Sequence, residues 1–335
     1  MRYSITLSYS GAAFCGWQKQ PSAPSVQECL EDALGKLLGA TVEVIGAGRT
    51  DTGVNAIGYV ACFDGPEGLA ADDFRYKLNA ILPRSVVVSQ VAPARADFHA
   101  RFDARRREYT YFLHRVKDPF MDSFSLLCGY PDLDFDAMNA AAALLVGTHD
   151  FSCFEKVGAD NKTSVCTVFE AFWQPYVPSH VAVMGRGPSI SAGASFGRAM
   201  QVPGSPCGTR TCPLPAADGT KAPESVYWYF RISADRFLRN MVRAIVGTLI
   251  EVGRGKRTLD DFAGLILSPE GVLPSNTPCS SRTTATPSAK SKGPGRVPQG
   301  EPGPGIAFPK ANAARRSLAG ESVPGHALFL SKVEY

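Results

Sequence analysis

The feature that most constrains the fold of this 335-residue chain is a rhythm of strands and helices that recurs once in each half. In the first half, "RYSITLSYS" alternates polar and apolar residues as a strand does, and residues 25–39 carry apolar side chains at helical spacing. A pair of strands around residues 41–65, a helix near 71–81 and a strand near 85–92 follow. The order predicts a unit in which one helix and several strands alternate, as in ferredoxin-like folds.

The second half has the same rhythm. Its predicted elements are, in chain order, the strand "REYTYFLHRV", the helix "DFDAMNAAAALLVG", the strands "TSVCTVFEAFW" and "VYWYFRISA", the long helix "DRFLRNMVRAIVGTLIEVG", the helix "TLDDFAGLIL" and the strand "ALFLSKVEY". The sequence therefore predicts an α+β protein of two ferredoxin-like lobes, residues 1–100 and 101–335. These lobes form a mixed, mainly antiparallel sheet with helices on one face.

Two stretches interrupt the C-terminal lobe. Residues 177–222 and 271–310 are rich in Gly, Pro, Ser and Ala and have neither a helical nor a strand period. Such segments bury too little apolar surface to offset the loss of chain entropy. We expect both to be long, poorly ordered insertions at the surface.

The composition excludes several classes of protein. No apolar run approaches the roughly 20 residues that a bilayer-spanning helix needs, and the N-terminus lacks a secretory signal, so we expect a cytoplasmic protein. The net charge of +4 is weak evidence for nucleic acid, because much of the basic excess lies in the two insertions. Nine scattered cysteines and five histidines show no metal-ligand spacing, so we expect free thiols and no bound metal.

The loop "IGAGRTDTGVNA", residues 45–56, superficially resembles a dinucleotide-binding turn. A G-x-G-x-x-G fingerprint needs a third glycine before a helix, but Asp51 occupies that position and a strand pattern follows. A carboxylate there would also repel a pyrophosphate. From spacing alone, Asp51 is either a turn residue that bonds its own backbone or a side chain that the loop presents to a substrate.

The surrounding residues favour presentation. The stretch "GAGRTDTGVNAIGYVACF" resembles the "GRTDAGVHA" active-site motif of the TruA-type tRNA pseudouridine synthases. Further segments resemble that family in the family's order, and they are "YSGAAFCGWQKQPSAPSVQECLEDAL", "DFHARFDARRREYTYFLH", "GTHDFSCF", "RFLRNMVRAIVGTLIEVGRGK" and "ARRSLAGESVPGHALFLSKVEY". The resemblance covers nearly all of the patterned chain, and both insertions fall between motifs.

The resemblance implies an isomerase with a central catalytic cleft that converts uridine to pseudouridine at positions 38, 39 and 40 of the tRNA anticodon stem-loop. It implies no cofactor, tRNA as the partner and a homodimer. The target uridine must be flipped out of its stack. A carboxylate can then attack or stabilise the electron-poor sugar carbon that remains when the base detaches.

The same resemblance assigns roles to individual residues. Asp51 is the catalytic aspartate, and Arg243 is a cation that stabilises its charged form in a closed pocket. Tyr109 stacks on the flipped uracil, and its hydroxyl assists proton transfer. Arg49, beside the aspartate, fills the space left by the extruded base.

Other arginines are candidate contacts to the RNA backbone. On a helical wheel Arg236 and Arg239 share a polar face with Arg243, which is typical either of a solvated face or of a phosphate-binding face. The run Arg105, Arg106 and Arg107 enters the strand that carries Tyr109, so the sequence predicts that it guides the RNA.

The chain departs from the family's pattern at three positions. Asn55 and Thr52 replace a usual His and Ala in the motif, and Cys166 stands where many members have Arg. Two alternative functions remain open, a non-catalytic tRNA-binding or tRNA-folding module and a glycosidase-type enzyme. The glycosidase would need a second carboxylate, and the sequence offers no convincing candidate motif.

Overall fold

The computed structural model describes residues 1–158, 163–179, 181, 225–266 and 315–335. Ten strands form one sheet in these ranges. They are β1 (Arg2–Tyr9), β2 (Val44–Gly46), β3 (Asn55–Asp64), β4 (Val86–Pro93), β5 (Arg106–His114), β6 (Leu126–Leu127), β7 (Gly147–Asp150), β8 (Val165–Pro175), β9 (Tyr227–Ala234) and β10 (Leu328–Glu334). Apart from residues 177–179 and 181, the predicted insertions 177–222 and 271–310 lie outside the described residues.

The sheet contains strands from both halves of the chain. Its main path is β4-β1-β3-β10-β5-β9-β8-β7, with β2 on β3 and β6 on β5. Only β10 with β3 and β6 with β5 are parallel pairs in this sheet, which confirms the predicted mixed, mainly antiparallel α+β fold. The last strand joins the two halves, because β10 pairs with β3 on one side and with β5 on the other. The division into lobes at residues 1–100 and 101–335 stays a prediction.

Five α-helices pack on the sheet or on each other within the described ranges. They are α1 (Val26–Leu38), α2 (Ala71–Ile81), α3 (Phe135–Ala143), α4 (Met241–Gly253) and α5 (Leu259–Ala263). None of them is long and apolar enough to cross a lipid bilayer.

The first helix shows why the sequence pattern was informative. Ser25 Oγ accepts a hydrogen bond from the Glu28 N–H at the N-terminus of α1, and Gly39 ends the helix with a left-handed φ of 67°. Val26 and Leu30 are fully buried on its inner face. Helix α2 also matches its predicted range.

The long helix predicted over residues 235–253 is wrong in its first third. The helix α4 begins only at Met241, because Asn240 has a left-handed φ of 66°. Asp235 stabilises the turn before it, since its Oδ1 accepts from the N–H groups of Arg236 and Thr167. Arg236 and Arg239 therefore lie on a loop, and the predicted shared helical face does not exist.

The core is continuous beneath the sheet. One cluster of buried side chains runs from β1 through β5 to α4, and it includes Leu7, Tyr59, Tyr111, Phe230 and Ile245. Helix α4 is buried over nearly its whole length, as its apolar sequence requires. This rigid platform holds the loops that carry polar side chains.

Candidate active site

The loop between β2 and β3 is fastened to the first strand and the loop after it. The Thr50 hydroxyl hydrogen-bonds the Tyr9 hydroxyl at 2.9 Å, and the Thr50 carbonyl accepts from the Trp17 N–H at 3.2 Å. Tyr59 of β3 donates its hydroxyl to the Gly48 carbonyl and accepts from the Gly48 N–H. Asp51 therefore projects from a loop that is fixed on both sides.

The glycines of this loop serve packing. A Cβ atom on Gly46 would collide with the ring of Trp17 and the hydroxyl of Tyr59, whose rings stack at 4.1 Å between centroids. Gly53 has a left-handed φ of 78°, which lets the chain turn sharply after Asp51. Aromatic packing thus explains Gly46, and a tight turn explains Gly53.

Two guanidinium groups flank the Asp51 carboxylate. Arg243 Nη1 lies 3.6 Å from Oδ2, and Arg239 Nε lies 3.9 Å from Oδ1. The Asp51 side chain is 24% exposed, so the carboxylate is recessed but open to the solvent. Among the described residues, no donor forms a hydrogen bond with either carboxylate oxygen. The carboxylate therefore has two cationic neighbours while its lone pairs stay available.

Arg243 is held by a separate contact. Its Nε donates to the carbonyl of Val323 at 2.7 Å, and the Val323 N–H donates to the Arg243 carbonyl at 3.2 Å. The neighbouring carbonyl of Pro324 accepts from the Tyr111 hydroxyl at 3.2 Å. The C-terminal segment before β10 therefore orients the guanidinium that faces Asp51.

Tyr109 lies beside the carboxylate on β5. Burial raises the pKa of Tyr109, and the negative charge of Asp51 raises it further, so the phenol stays protonated at neutral pH. Its ring meets Phe237 edge to face at 5.0 Å. In the described part of the chain its hydroxyl has no hydrogen-bond partner, which leaves a proton donor next to Asp51.

The remaining predicted arginines fall into two groups. The side chains of Arg49 and Arg105 lie at exposed positions, and Arg239 is 58% exposed while still reaching Asp51. Arg236 is half-buried near Cys166. Of these four arginines, Arg239 is the one that the described residues show within 4 Å of the Asp51 carboxylate.

Arg106 and Arg107 are already engaged with protein atoms. Arg106 Nη2 lies 2.6 Å from Glu170 Oε1 and 2.7 Å from Ser233 Oγ. Within the described ranges, the guanidinium of Arg107 donates only to backbone carbonyls, including those of Ala47 and Asp235. Their role as RNA contacts remains a prediction from the sequence.

Asn55, for which no functional role was predicted, links two distant segments of the chain. Its Oδ1 accepts from the Gly11 N–H at 2.8 Å, and its Nδ2 donates to the His326 carbonyl at 2.7 Å. Asn55 is buried, so both bonds are sheltered from water. Asn55 stands where the motif usually has His, and this difference is the sequence signal that could have pointed to its structural role.

The other two departures from the family's pattern are Thr52 and Cys166. Thr52 is exposed on the loop, beside Asp51. Cys166 is buried in β8, and burial raises the pKa of its thiol to about 12. Among the described residues, no group of three or more His, Cys, Asp or Glu side chains could hold a metal ion.

The chain is similar to known proteins of one family. The sequence model of a family described as tRNA pseudouridine synthase matches residues 5–103 and 141–278. The chain is similar to a "tRNA pseudouridine synthase A" of Porphyromonas gingivalis, with 37% identity over 100% of this chain and 97% of that protein. A protein of that name from Bacteroides fragilis is 36% identical over 100% and 96%, and one from a Geobacter species is 33% identical over 78% and 87%.

Proposed function

The chain belongs to the tRNA pseudouridine synthase family, and on that premise we propose that it modifies uridines 38, 39 and 40 of the tRNA anticodon stem-loop. Membership of the family makes the protein an isomerase that converts uridine in tRNA to pseudouridine. The location in the stem-loop and the residue roles below are the proposal.

One observation carries these roles: Asp51 lies between the guanidinium groups of Arg243 and Arg239, next to the protonated hydroxyl of Tyr109. A recessed carboxylate with two cationic neighbours and unused lone pairs suits the attack or stabilisation of an electron-poor sugar carbon. A module that only binds tRNA has no need for this arrangement.

The reaction requires the target nucleotide to leave the RNA stack, at a cost of roughly a few kcal/mol. The N1–C1′ bond breaks, the uracil turns, and C5 bonds to C1′ while the C5 proton leaves and N1 gains a proton. The atoms of the substrate are conserved, so no water is consumed and one carboxylate is enough. In this proposal Asp51 acts on the sugar, Arg243 holds the charge of Asp51, and Tyr109 stacks on the base and relays a proton.

Two routes for Asp51 can be separated by isotopic substitution. Direct attack on C1′ forms a bond between carboxylate and sugar, whereas a glycal-like route removes the proton from C2′. Substrate tRNA with deuterium at C2′ would show a primary isotope effect only by the second route, because only that route breaks the C2′–H bond; direct attack would give at most a small secondary effect. The rate of the first turnover distinguishes them.

Four exposed or half-buried arginines account for RNA binding in this proposal. Arg49, Arg105, Arg236 and Arg239 would contact phosphates around the flipped nucleotide, and Arg49 would also fill the gap in the stack. Each Ala variant should weaken tRNA binding at low salt and reduce the dependence of binding on salt. Arg106 and Arg107 would contribute less, because their donors already have protein acceptors.

The central test is to map pseudouridine in tRNA from cells that lack this protein, and then to restore modification in vitro. Wild-type protein should modify positions 38, 39 and 40, whereas Asp51→Asn should leave them unmodified and bind tRNA with broadly unchanged affinity. Modification at other positions would overturn the stem-loop assignment. Normal turnover by Asp51→Asn would overturn the catalytic role.

We also propose that the protein is a cytoplasmic homodimer. The side of β5 opposite Tyr109 is rich in aromatic side chains, with Phe112 in contact with Phe329 and Tyr176 at 5.4 Å in each case. Phe169, on β8, which is separated from β5 by β9, is 44% exposed. Such aromatic surfaces are typical of protein interfaces.

Light scattering measures the mass of the protein in solution and tests this proposal. The chain has a mass of 35.8 kDa, so a dimer should show twice that value, and Phe169→Glu should lower it towards the monomer. Tyr76→Glu, at a more exposed aromatic residue on α2, is the matched control and should leave the dimer intact. A monomeric wild type, in the same measurement, would rule out the homodimer.

A further inference from the structure

Arg107 occupies an unusual place beneath the candidate site. It is two residues before Tyr109 on β5, and strand alternation puts both side chains on the same side of the sheet. Its guanidinium donates to the carbonyls of Ala47 at 2.9 Å, Asp235 at 2.7 Å and Arg101 at 2.6 Å. Burial lowers the pKa of Arg107, and the nearby Tyr109 opposes that shift.

The carbonyls of Ala47 and Asp235 belong to the two loops that carry the site. Ala47 begins the loop that presents Asp51, directly after the last residue of β2. Asp235 begins the loop that presents Arg239, directly after the last residue of β9. One side chain thus holds the start of both loops at a fixed distance from each other and from β5.

Only arginine suits this link. Its planar guanidinium offers five donors in a fixed fork, so it can bind acceptors from several directions at once. Lysine has the same charge but one nitrogen on a flexible stem, and it would lose the simultaneous contacts. The link at residue 107 therefore requires the planar shape of the guanidinium group as well as its charge.

We propose that Arg107 is a positioning residue for the isomerisation, which sets the separation between Asp51 and Arg239 by tying both loops to β5. It acts through backbone carbonyls and does not touch the reacting atoms. The inference rests on the proposed function of the site. The competing role for Arg107 is a direct contact with an RNA phosphate, in which only its charge would matter.

The two roles predict different kinetics for Arg107→Lys and Arg107→Gln. If Arg107 positions the loops, both variants should lower kcat by about 100-fold, because misplacing reactive groups by about 1 Å has that effect. The KM for tRNA should stay within about threefold of wild type, since a positioning role leaves the phosphate contacts intact. If Arg107 binds phosphate, lysine should retain activity and glutamine should raise KM.

Arg115→Met is the matched control. Arg115 follows the last residue of the same strand, and its Nη2 donates to the carbonyls of Tyr130 and Pro131 at 2.8 Å each. This variant removes an arginine with the same type of bond from the far end of β5. Its kcat and KM should remain near those of the wild type.

A measurement that needs no activity separates this inference from the proposed function. In Arg107→Lys, amide hydrogen exchange should become about tenfold faster in residues 47–54 and 235–240 and stay unchanged in the rest of the sheet. If wild-type protein makes no pseudouridine, the proposed function fails, and the exchange result still decides whether Arg107 links the loops. Unchanged exchange in both loops, or a change in KM alone, would overturn the inference.

Discussion

Arg243 Nη1 lies 3.6 Å from Asp51 Oδ2, and the same guanidinium donates through Nε to the carbonyl of Val323 at 2.7 Å. One nitrogen fixes the group, and another lies beside the carboxylate without a hydrogen bond to it. A fixed positive charge thus lies beside the carboxylate, while the carboxylate oxygens accept no hydrogen bond from the described residues. The Arg243 guanidinium thus has two different contacts, one with a backbone carbonyl and one with the carboxylate.

Replacing Arg243 should impair the chemical step. Arg243→Met removes a fixed charge next to Asp51, and we expect kcat to fall by about 100- to 1000-fold, which is the range for loss of one preorganised stabilising group. Arg243→Lys should be intermediate, because an ammonium group cannot bind Val323 and reach Asp51 with the same fork. Single-turnover rates with tRNA measure both effects.

The control for Arg243 is Arg257→Met. Arg257 pairs with Glu251 at 2.9 Å, and its side chain is 19% exposed, close to the 22% of Arg243. Its removal should leave the single-turnover rate near wild type. A similar loss in both variants would show that the effect of Arg243→Met is not specific to the site.

Tyr109→Phe should separate stability from activity. The hydroxyl lacks a hydrogen-bond partner among the described residues, so its removal should leave the free energy of unfolding unchanged or raise it by up to about 1 kcal/mol. The ring and its contact with Phe237 remain, so KM should change little. We expect kcat to fall about 100-fold or more, in the range for loss of general acid–base assistance.

Tyr111→Phe is the counterpart on the same strand. Its hydroxyl donates to the carbonyl of Pro324, so the variant should lose about 1 kcal/mol of stability and keep most of its activity. Urea unfolding and single-turnover rates, measured for both variants, give the comparison. A Tyr109→Phe enzyme with wild-type kcat would contradict the proton-relay role.

Asn55 should matter chiefly for stability. Asn55→Leu would leave the Gly11 N–H and the His326 carbonyl buried without partners, at a cost of about 2–4 kcal/mol of unfolding free energy. Asn55→His should cost less, because a neutral imidazole also has one donor and one acceptor. Urea unfolding curves test the order, and equal losses in the two variants would contradict it.

His114 should make the protein less stable in mild acid. Its side chain is fully buried, and burial lowers its pKa below 6.5 in spite of the nearby Asp122 and Asp118; His326 lowers it further. As pH falls through about 6.5 the unfolded chain takes up the proton first, so the free energy of unfolding should fall, by at most about 1.4 kcal/mol per pH unit for this group. The fall should level off below the pKa of the folded state.

The check on His114 is urea unfolding at pH 7.5 and pH 5.5. His114→Gln lacks the titrating group, so it should show a smaller loss of stability over this interval than wild type. An equal loss in both proteins would mean that other groups cause the pH dependence.

Part of the fold could be predicted from local patterns. The period of apolar residues located β1, α1 and α2, and the Ser25 and Gly39 signals located the ends of α1, because those features depend on neighbours in the sequence. The start of α4 could not be predicted that way. Asn240 adopts a left-handed φ of 66°, and its side chain hydrogen-bonds the Ser322 hydroxyl, which is distant in sequence.

The sequence by itself predicted which side chains could carry the chemistry: Asp51 in its motif, Tyr109 on its strand and Arg243 in its apolar helix. Only the tertiary structure decided what surrounds them. It brought Arg239 to the carboxylate from a loop, and it turned Arg107 from an apparent surface charge into a link between backbone carbonyls. Patterns reveal the chemistry that a residue can perform, whereas its partners depend on long-range contacts that only the packed sheet and its loops establish.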